Sequence, residues 1–242
     1  MIKKTFWKNY WDNQSDGQHH SQEEMFLKNE SEEKLFYLEK GENLLDFGCG
    51  SADLLVYYAP FFKFLVGADG SKLMLKKAKE RLSSFNTSNN IRLINSDNYL
   101  IWNDLAKELG NDFKFDCITT GQVIQYLDKK ETENFIHNSL HHLTDDGKIC
   151  LFDIVDSRTF ALWKAGLFKS NSLNFTVMLK LLINYTKGLI KRLLGKPFQD
   201  IGYVYPPSFF ANLAQKYNLK ISYFNSMYYD YRYHIIIYKG EN

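Results

Sequence analysis

The chain has 242 residues, 45% of them hydrophobic, and its 30 basic and 28 acidic side chains leave a formal net charge of +2. That length suits one domain with a substantial core, and the near-neutral balance is far from the basic excess of a protein that tracks nucleic-acid phosphates. Cys49, Cys117 and Cys150 form no CxxC pair and sit in or beside apolar runs, which argues against a disulfide framework and against a structural metal.

Residues 1–40 are polar and are expected to form a helical cap, with Phe6, Trp7, Tyr10 and Trp11 grouped near its start. The start carries no apolar stretch of signal-peptide length, and no segment reaches the roughly 18 apolar residues of a membrane span. A cytoplasmic protein is the expectation. Residues 41–155 alternate short apolar runs with amphipathic segments: NLLDF, SADLLVYYA, KFLVGA, SKLMLKKAKERL, IRLIN, a helical stretch around Leu105, FDCITT, a helix near 130–143, and KICLFDI. This βα rhythm predicts a mostly parallel sheet with helices on both faces. Ser71 is placed to cap the helix carrying Met74, Ala78 and Leu82, and DDGK at 145–148 reads as a turn before the fifth strand. Residues 156–205 interrupt the pattern as a helical insertion. Residues 206–242 supply a last helix, with Phe210, Leu213, Ala214 and Tyr217 on one face, then LKISYFNSM and YRYHIIIY as a hairpin that adds an antiparallel strand.

The chemistry concentrates in LLDFGCGSAD, residues 44–53, where a strand carrying Asp46 runs into Gly48 and Gly50. Glycines there let the backbone turn sharply and approach a ligand. The next strand ends in Asp69, 19 residues past Gly50, where an acid can accept hydrogen bonds from both hydroxyls of a ribose. A nicotinamide or flavin dinucleotide would want a third glycine where Asp53 stands, and a negative charge beside pyrophosphate is unfavourable. A cationic sulfonium meets no such objection and gains from Asp46.

With those residues in view, the chain resembles the seven-stranded, Rossmann-like (class I) S-adenosylmethionine-dependent methyltransferases, over about 42–155 and again from 205. DFGCGSA resembles the glycine loop, GADGSKLMLKKAKE the ribose acid and its helix, NSDN the loop after the third strand, and FDCITTGQVIQYL the fourth strand and its loop. Ala52 departs from the glycine most often found there. The resemblance implies S-adenosylmethionine as cofactor and S-adenosylhomocysteine as product. Asp46, Phe47, Gly48, Cys49 and Gly50 would form the loop at the methionine part, and Asp69 with Gly70 the ribose site. Met74 would lie on the adenine, Asp97 and Asn98 at its amine, and Thr120, Gly121 and Gln122 at the methionine end.

The expected activity is methyl transfer to a small or medium metabolite, with saccharide and lipid-linked acceptors open. The alternative is a catalytically silent scaffold subunit of the same fold. No residue stands out as catalytic base: His141 and His142 precede the fifth strand at its far end, His234 sits within a strand, and Tyr126, Asp153, His19 and His20 reach the mouth by resemblance alone. No nucleic acid is expected as a partner, and nothing sets the oligomeric state. Within the insertion, 177–196 reads as a helix with Met178, Leu182, Tyr185, Leu189 and Leu193 on one side and Lys180, Lys187 and Lys191 on the other. It is expected to be a lid packed over the site by its apolar face, with contact to a membrane or an acidic lipid as the alternative.

Overall fold

A computed structural model describes residues 11–12, 23–85, 90–97, 100–169, 175–194 and 201–240. In chain order these form α1 (Glu24–Leu38), β1 (Gly41–Phe47), α2 (Leu55–Tyr58), β2 (Phe62–Asp69), α3 (Lys72–Ser84), β3 (Ile91–Asn95), α4 (Ile101–Leu109), β4 (Phe115–Gly121), α5 (Lys129–His142), β5 (Leu143–Val155), α6 (Phe160–Lys164), α7 (Phe175–Leu193), α8 (Pro207–Lys216), β6 (Leu219–Asn225) and β7 (Arg232–Lys239). The strands make one seven-stranded sheet in the order β3-β2-β1-β4-β5-β7-β6. Pairings from β3 to β5 are parallel, while β7 runs antiparallel to both β5 and β6. The expected Rossmann-like sheet is therefore present, with β7 inserted inside β6 rather than lying at the margin.

Helices cover both faces. Ile101, Leu105, Phe135, Ile136, Phe210 and Leu213 pack with Tyr233, Ile235 and Ile237 on one side. Leu38, Leu55, Val56, Ala78 and Leu82 pack with Cys150, Phe152 and Ile236 on the other. Alternate residues of β7 thus serve opposite cores, as a period of two requires. Ser71 caps α3, its Oγ accepting from the Met74 amide at 3.2 Å, and Asp128 with Glu131 forms a reciprocal capping box at α5; such caps satisfy otherwise orphaned amides.

Two local expectations change. The segment after the glycine loop makes only four α-helical residues, because Pro60 lacks the donor and φ freedom to continue the helix and the chain passes into a short 3-10 turn. DDGK is not a turn outside β5 but lies within it, where the register with β4 jumps from Phe115↔Leu143 to Cys117↔Lys148. The residues between are accommodated as a bulge.

This topology brings the C-terminal ends of β1, β2, β4 and β5 to one end of the sheet. Because β7 is antiparallel, its first residue, Arg232, pairs with Val155 at that same end. The insertion also leaves and returns there, since Asp156 forms a parallel bridge to Tyr205.

Candidate active site

At the end of β1 the backbone turns through left-handed conformations, with φ of 78° at Gly48, 53° at Gly50 and 63° at Ala52. The amides of Gly48 and Cys49 both donate to the Ala68 carbonyl, at 2.7 and 3.1 Å, fastening the loop to β2. The two glycines have different reasons. A Cβ on Gly48 would come 2.3 Å from Val123 Cγ2, whereas one on Gly50 would meet nothing within 4 Å. Gly48 is needed for packing; Gly50 keeps a space clear.

Asp69 joins the loop to the second strand. Its Oδ2 accepts from the Gly50 amide at 3.0 Å and its Oδ1 from the Ser71 amide at 2.8 Å. Burial pushes its carboxyl up while these two donors draw it back, leaving a net upward shift. Asp97 lies alongside, since a Cβ on Gly70 would stand 3.7 Å from Asp97 Oδ1. The Asp97 carbonyl accepts from the Leu100 and Ile101 amides at the start of α4, and its side chain is exposed. Met74 is buried in the first turn of α3. The structure thus gathers Gly50, Asp69, Gly70 and Asp97 around one edge of the cleft. Asn98 lies outside the described residues.

Across the cleft, Gly121 ends β4 and a Cβ there would also meet nothing within 4 Å. Thr120 is fully buried and its Oγ1 has no hydrogen-bond partner among the described residues. Gln122 adopts φ 59°, donates its amide to the Phe152 carbonyl at 3.1 Å and its Nε2 to the Tyr229 hydroxyl at 3.2 Å. Phe47 faces the other way: its ring is 4.7 Å from that of Phe135, within the core, so only its backbone can serve the loop. Cys49 is buried, and desolvation first, then the charges of Asp69 and Asp46, hold its thiol well above its usual range. Asp53 is tied to Ser51 Oγ at 2.8 Å and lies 3.5 Å from Arg81 Nε, so its charge is directed into α3.

Beneath the loop lies a buried polar cluster that the sequence does not announce. Lys34 of α1 is out of solvent and pairs with Glu30 at 2.5 Å and Asp153 at 2.8 Å. Burial opposes its charge, but the two carboxylates outweigh that and raise its pKa. Burial likewise opposes ionisation of Asp153, and Lys34 outweighs it to hold that carboxyl well below the ordinary range. His234 Nδ1 accepts from the Asp153 amide at 3.1 Å, so its Nε2 carries the proton toward Glu33 Oε1, also at 3.1 Å. Asp153 itself has φ 56°. Asp46, above this cluster, is pushed up to about 7 by burial and then by Asp69, against the pull of Lys34.

The outer wall is aromatic. The rings of Trp163 and Tyr231 meet at 4.1 Å, tilted by 35°, and Arg232 lies over the rings of Tyr229 and Tyr231. Arg232 donates to Gln125 Oε1 at 2.9 Å and to the Asp153 carbonyl at 2.7 Å. From the N-terminal side, Asp12 accepts from Ser71 Oγ at 2.7 Å and Trp11 meets Tyr126 edge-on at 6.1 Å. Ser71 follows β2 and Tyr126 follows β4, so this pair of residues straddles the end of β1. Phe6, Trp7, Tyr10, His19 and His20 lie outside the described residues. His141 and His142 end α5, remote from the cleft as expected; the ring of His142 stacks on Trp102 at 4.7 Å.

Residues 45–149 match a family model described as "Methyltransferase domain". No curated protein matches the chain. Among solved structures, a DhpI complex with SAH matches with a TM-score of 0.63 at 10% identity, covering 100% of this chain and 98% of that one. Magnesium protoporphyrin IX methyltransferase from Synechocystis PCC 6803 with bound SAM matches at 0.61 and 14% identity, covering 98% and 97%. An S-adenosylmethionine-dependent methyltransferase from Clostridium acetobutylicum ATCC 824 matches at 0.57 and 14%, covering 91% and 94%. Residues 45–149 are thus similar to a methyltransferase domain, and the chain as a whole has the Rossmann-like fold of these solved methyltransferase structures.

Proposed function

We propose that this chain transfers a methyl group from S-adenosylmethionine to a small or medium metabolite in the cytoplasm, releasing S-adenosylhomocysteine. The observation that carries the reading is the pairing of Asp69 with an open glycine loop: both carboxylate oxygens are fixed by the Gly50 and Ser71 amides beside a space that Gly50 and Gly121 leave clear. A carboxylate oxygen has lone pairs beyond the one used by each amide, so Asp69 can still accept from ribose hydroxyls. Asp97 and Met74 would hold the adenine end, and Thr120, with its unused Oγ1, the methionine end. Bound S-adenosylmethionine would supply an electrophilic methyl group on a sulfonium.

The chain's own contribution is then chiefly to orient the acceptor, and positioning of that kind supplies roughly 7–11 kcal/mol of a bimolecular barrier. Asp153 is ill-suited as a general base, since Lys34 holds it ionised far below neutral pH. Trp163, Tyr231 and Tyr229 offer flat surfaces to an acceptor, and Arg232 with Gln125 offers donors at its edge: Arg232 Nε and Gln125 Nε2 are buried without partners among the described residues.

Calorimetric titration with S-adenosylmethionine and S-adenosylhomocysteine tests the reading. Micromolar binding that an Asp69→Ala substitution weakens by about a hundred-fold, the loss of a charged acceptor's hydrogen bonds, is the expected result. A folded protein that binds neither ligand would overturn it.

A further inference from the structure

Most of the apolar side chains described on helix α7 are exposed; those of Leu189 and Leu193 lie outside the described residues. Val177 is buried and Leu181, Asn184 and Gly188 are half-buried; at about 100° per residue these four fall on one narrow face, turned toward the protein. Phe175, Met178, Leu182, Ile183, Tyr185 and Ile190 occupy the opposite side as an arc of roughly 160° interrupted by Thr186, and all six are exposed, Phe175 at 80% and Leu182 and Tyr185 near it at 61% and 62%. The lid packed by its apolar face is therefore not what is observed: that face points outward. An unpartnered apolar strip of this breadth on a folded protein marks a contact surface.

The surrounding charge says what covers it. Residues 157–199 contain eight basic side chains, Arg158, Lys164, Lys169, Lys180, Lys187, Lys191, Arg192 and Lys196, and no acidic one. Asp156 and Asp200 flank this stretch, and Asp156 pairs with Arg158 at 2.7 Å; residues 156–205 still carry eight basic against two acidic side chains, so with the whole chain at only +2 the remainder is net acidic. Lys180 and Lys187 are exposed and lie along one border of the apolar arc, where a long aliphatic stem can follow the apolar surface and lift its ammonium to the rim. A second copy of the chain docking by the same face would bring one basic insertion against another, and a nucleic acid would leave the apolar arc uncovered. Apolar arc, basic border and the absence of acid from α7 itself together match the interface of an anionic bilayer.

We propose that α7 seats the protein on an anionic membrane surface, its apolar arc entering the boundary between headgroups and acyl chains and its lysines meeting the lipid phosphates. The insertion departs from and returns to the cleft end of the sheet, at Val155 and Tyr205. The attached protein would thus hold the cleft end toward the lipid. No helix among the described residues is long and apolar enough to cross a membrane, so the attachment is peripheral.

Co-sedimentation of the full chain with vesicles tests this without reference to catalysis. Vesicles of phosphatidylcholine and phosphatidylglycerol at about three to one should carry the protein down at low salt, with pure phosphatidylcholine at least ten-fold less effective and added salt releasing it. Leu182→Gln combined with Ile183→Gln should abolish sedimentation, and Lys180→Gln with Lys187→Gln should weaken it roughly five-fold for each lysine removed; melting curves check that both variants fold. Protein that stays in the supernatant with anionic vesicles, or variants that sediment like the parent, would overturn the proposal. So would a dimer in sedimentation equilibrium that the Leu182→Gln, Ile183→Gln variant dissociates, which would give the face to a second copy.

Discussion

Lys34 in α1 and Asp153 at the end of β5 form a 2.8 Å ion pair with both side chains out of solvent. The lysine also holds Glu30, so one buried cation is shared between two carboxylates. Replacing Lys34 with Met should cost about 3–5 kcal/mol, the penalty for stranding buried charge, read as a fall in the urea midpoint. Adding Asp153→Asn should return part of that loss; a double variant no better than the single one would mean that packing, not charge, is what Lys34 provides. Because the Asp153 carboxyl is held below its ordinary value of 3.8, its contribution is present above that pH and disappears as pH falls through the lower folded value.

Gly48 and Gly50 should separate folding from binding. Gly48→Ala drives a methyl into Val123 at a φ of 78° and should lower stability by at least about 2 kcal/mol. Gly50→Ala meets no protein atom and should cost only about 1 kcal/mol of backbone strain, yet abolish cofactor binding by filling the space beside Asp69. Thermal melts and calorimetry on the two proteins give the comparison, and unimpaired binding by Gly50→Ala would move the ligand elsewhere.

Asp46 predicts a pH dependence of opposite sign to that of Asp153. Its folded pKa is raised from 3.8 to about 7, so its contribution favours the fold below the unfolded value and is lost as pH rises between those limits. Asp46→Asn should flatten the stability profile across that window. It should also remove a binding effect: a cationic sulfonium favours the ionised carboxylate, so the affinity for S-adenosylmethionine relative to S-adenosylhomocysteine should climb as pH passes about 7 in the parent protein alone.

Ala52 sits at φ 63°, a conformation that costs a residue with a Cβ about 1–2 kcal/mol. Ala52→Gly relieves this at an entropic cost of roughly 0.5–1 kcal/mol, so a gain of up to about 1 kcal/mol is expected in chemical denaturation. A clear loss would show that its buried methyl packs better than the strain costs.

The sheet and the cleft edge were legible because their signals are local. An apolar run, a glycine turn and an acid at the next strand end suffice to place Asp69 near Gly50, and the 3.0 Å contact between them joins two adjacent parallel strands. The short α2 is legible as well, in Pro60. The buried cluster was not. Glu30, Glu33 and Lys34 look like the solvated side of a polar helix, while the same helix exposes Phe36 and Met25, and nothing within α1 says that its charged side faces inward. Their partners, Asp153 and His234, lie more than a hundred residues away. The hints were an acid inside KICLFDI and Arg232 and His234 inside YRYHIIIY, polar residues in runs otherwise fit for a core.

That same cluster has a consequence for how the protein is made. The bond between Glu33 and His234 spans 201 residues, and β7 is an interior strand of the sheet rather than an edge. While the ribosome is still translating, α1 has carboxylates and a lysine with no completed socket to enter, and β5 keeps an open flank. Contacts of such long range close late, so α1 should wait, exposed to proteases and chaperones, until β7 has been synthesised and slides between β5 and β6.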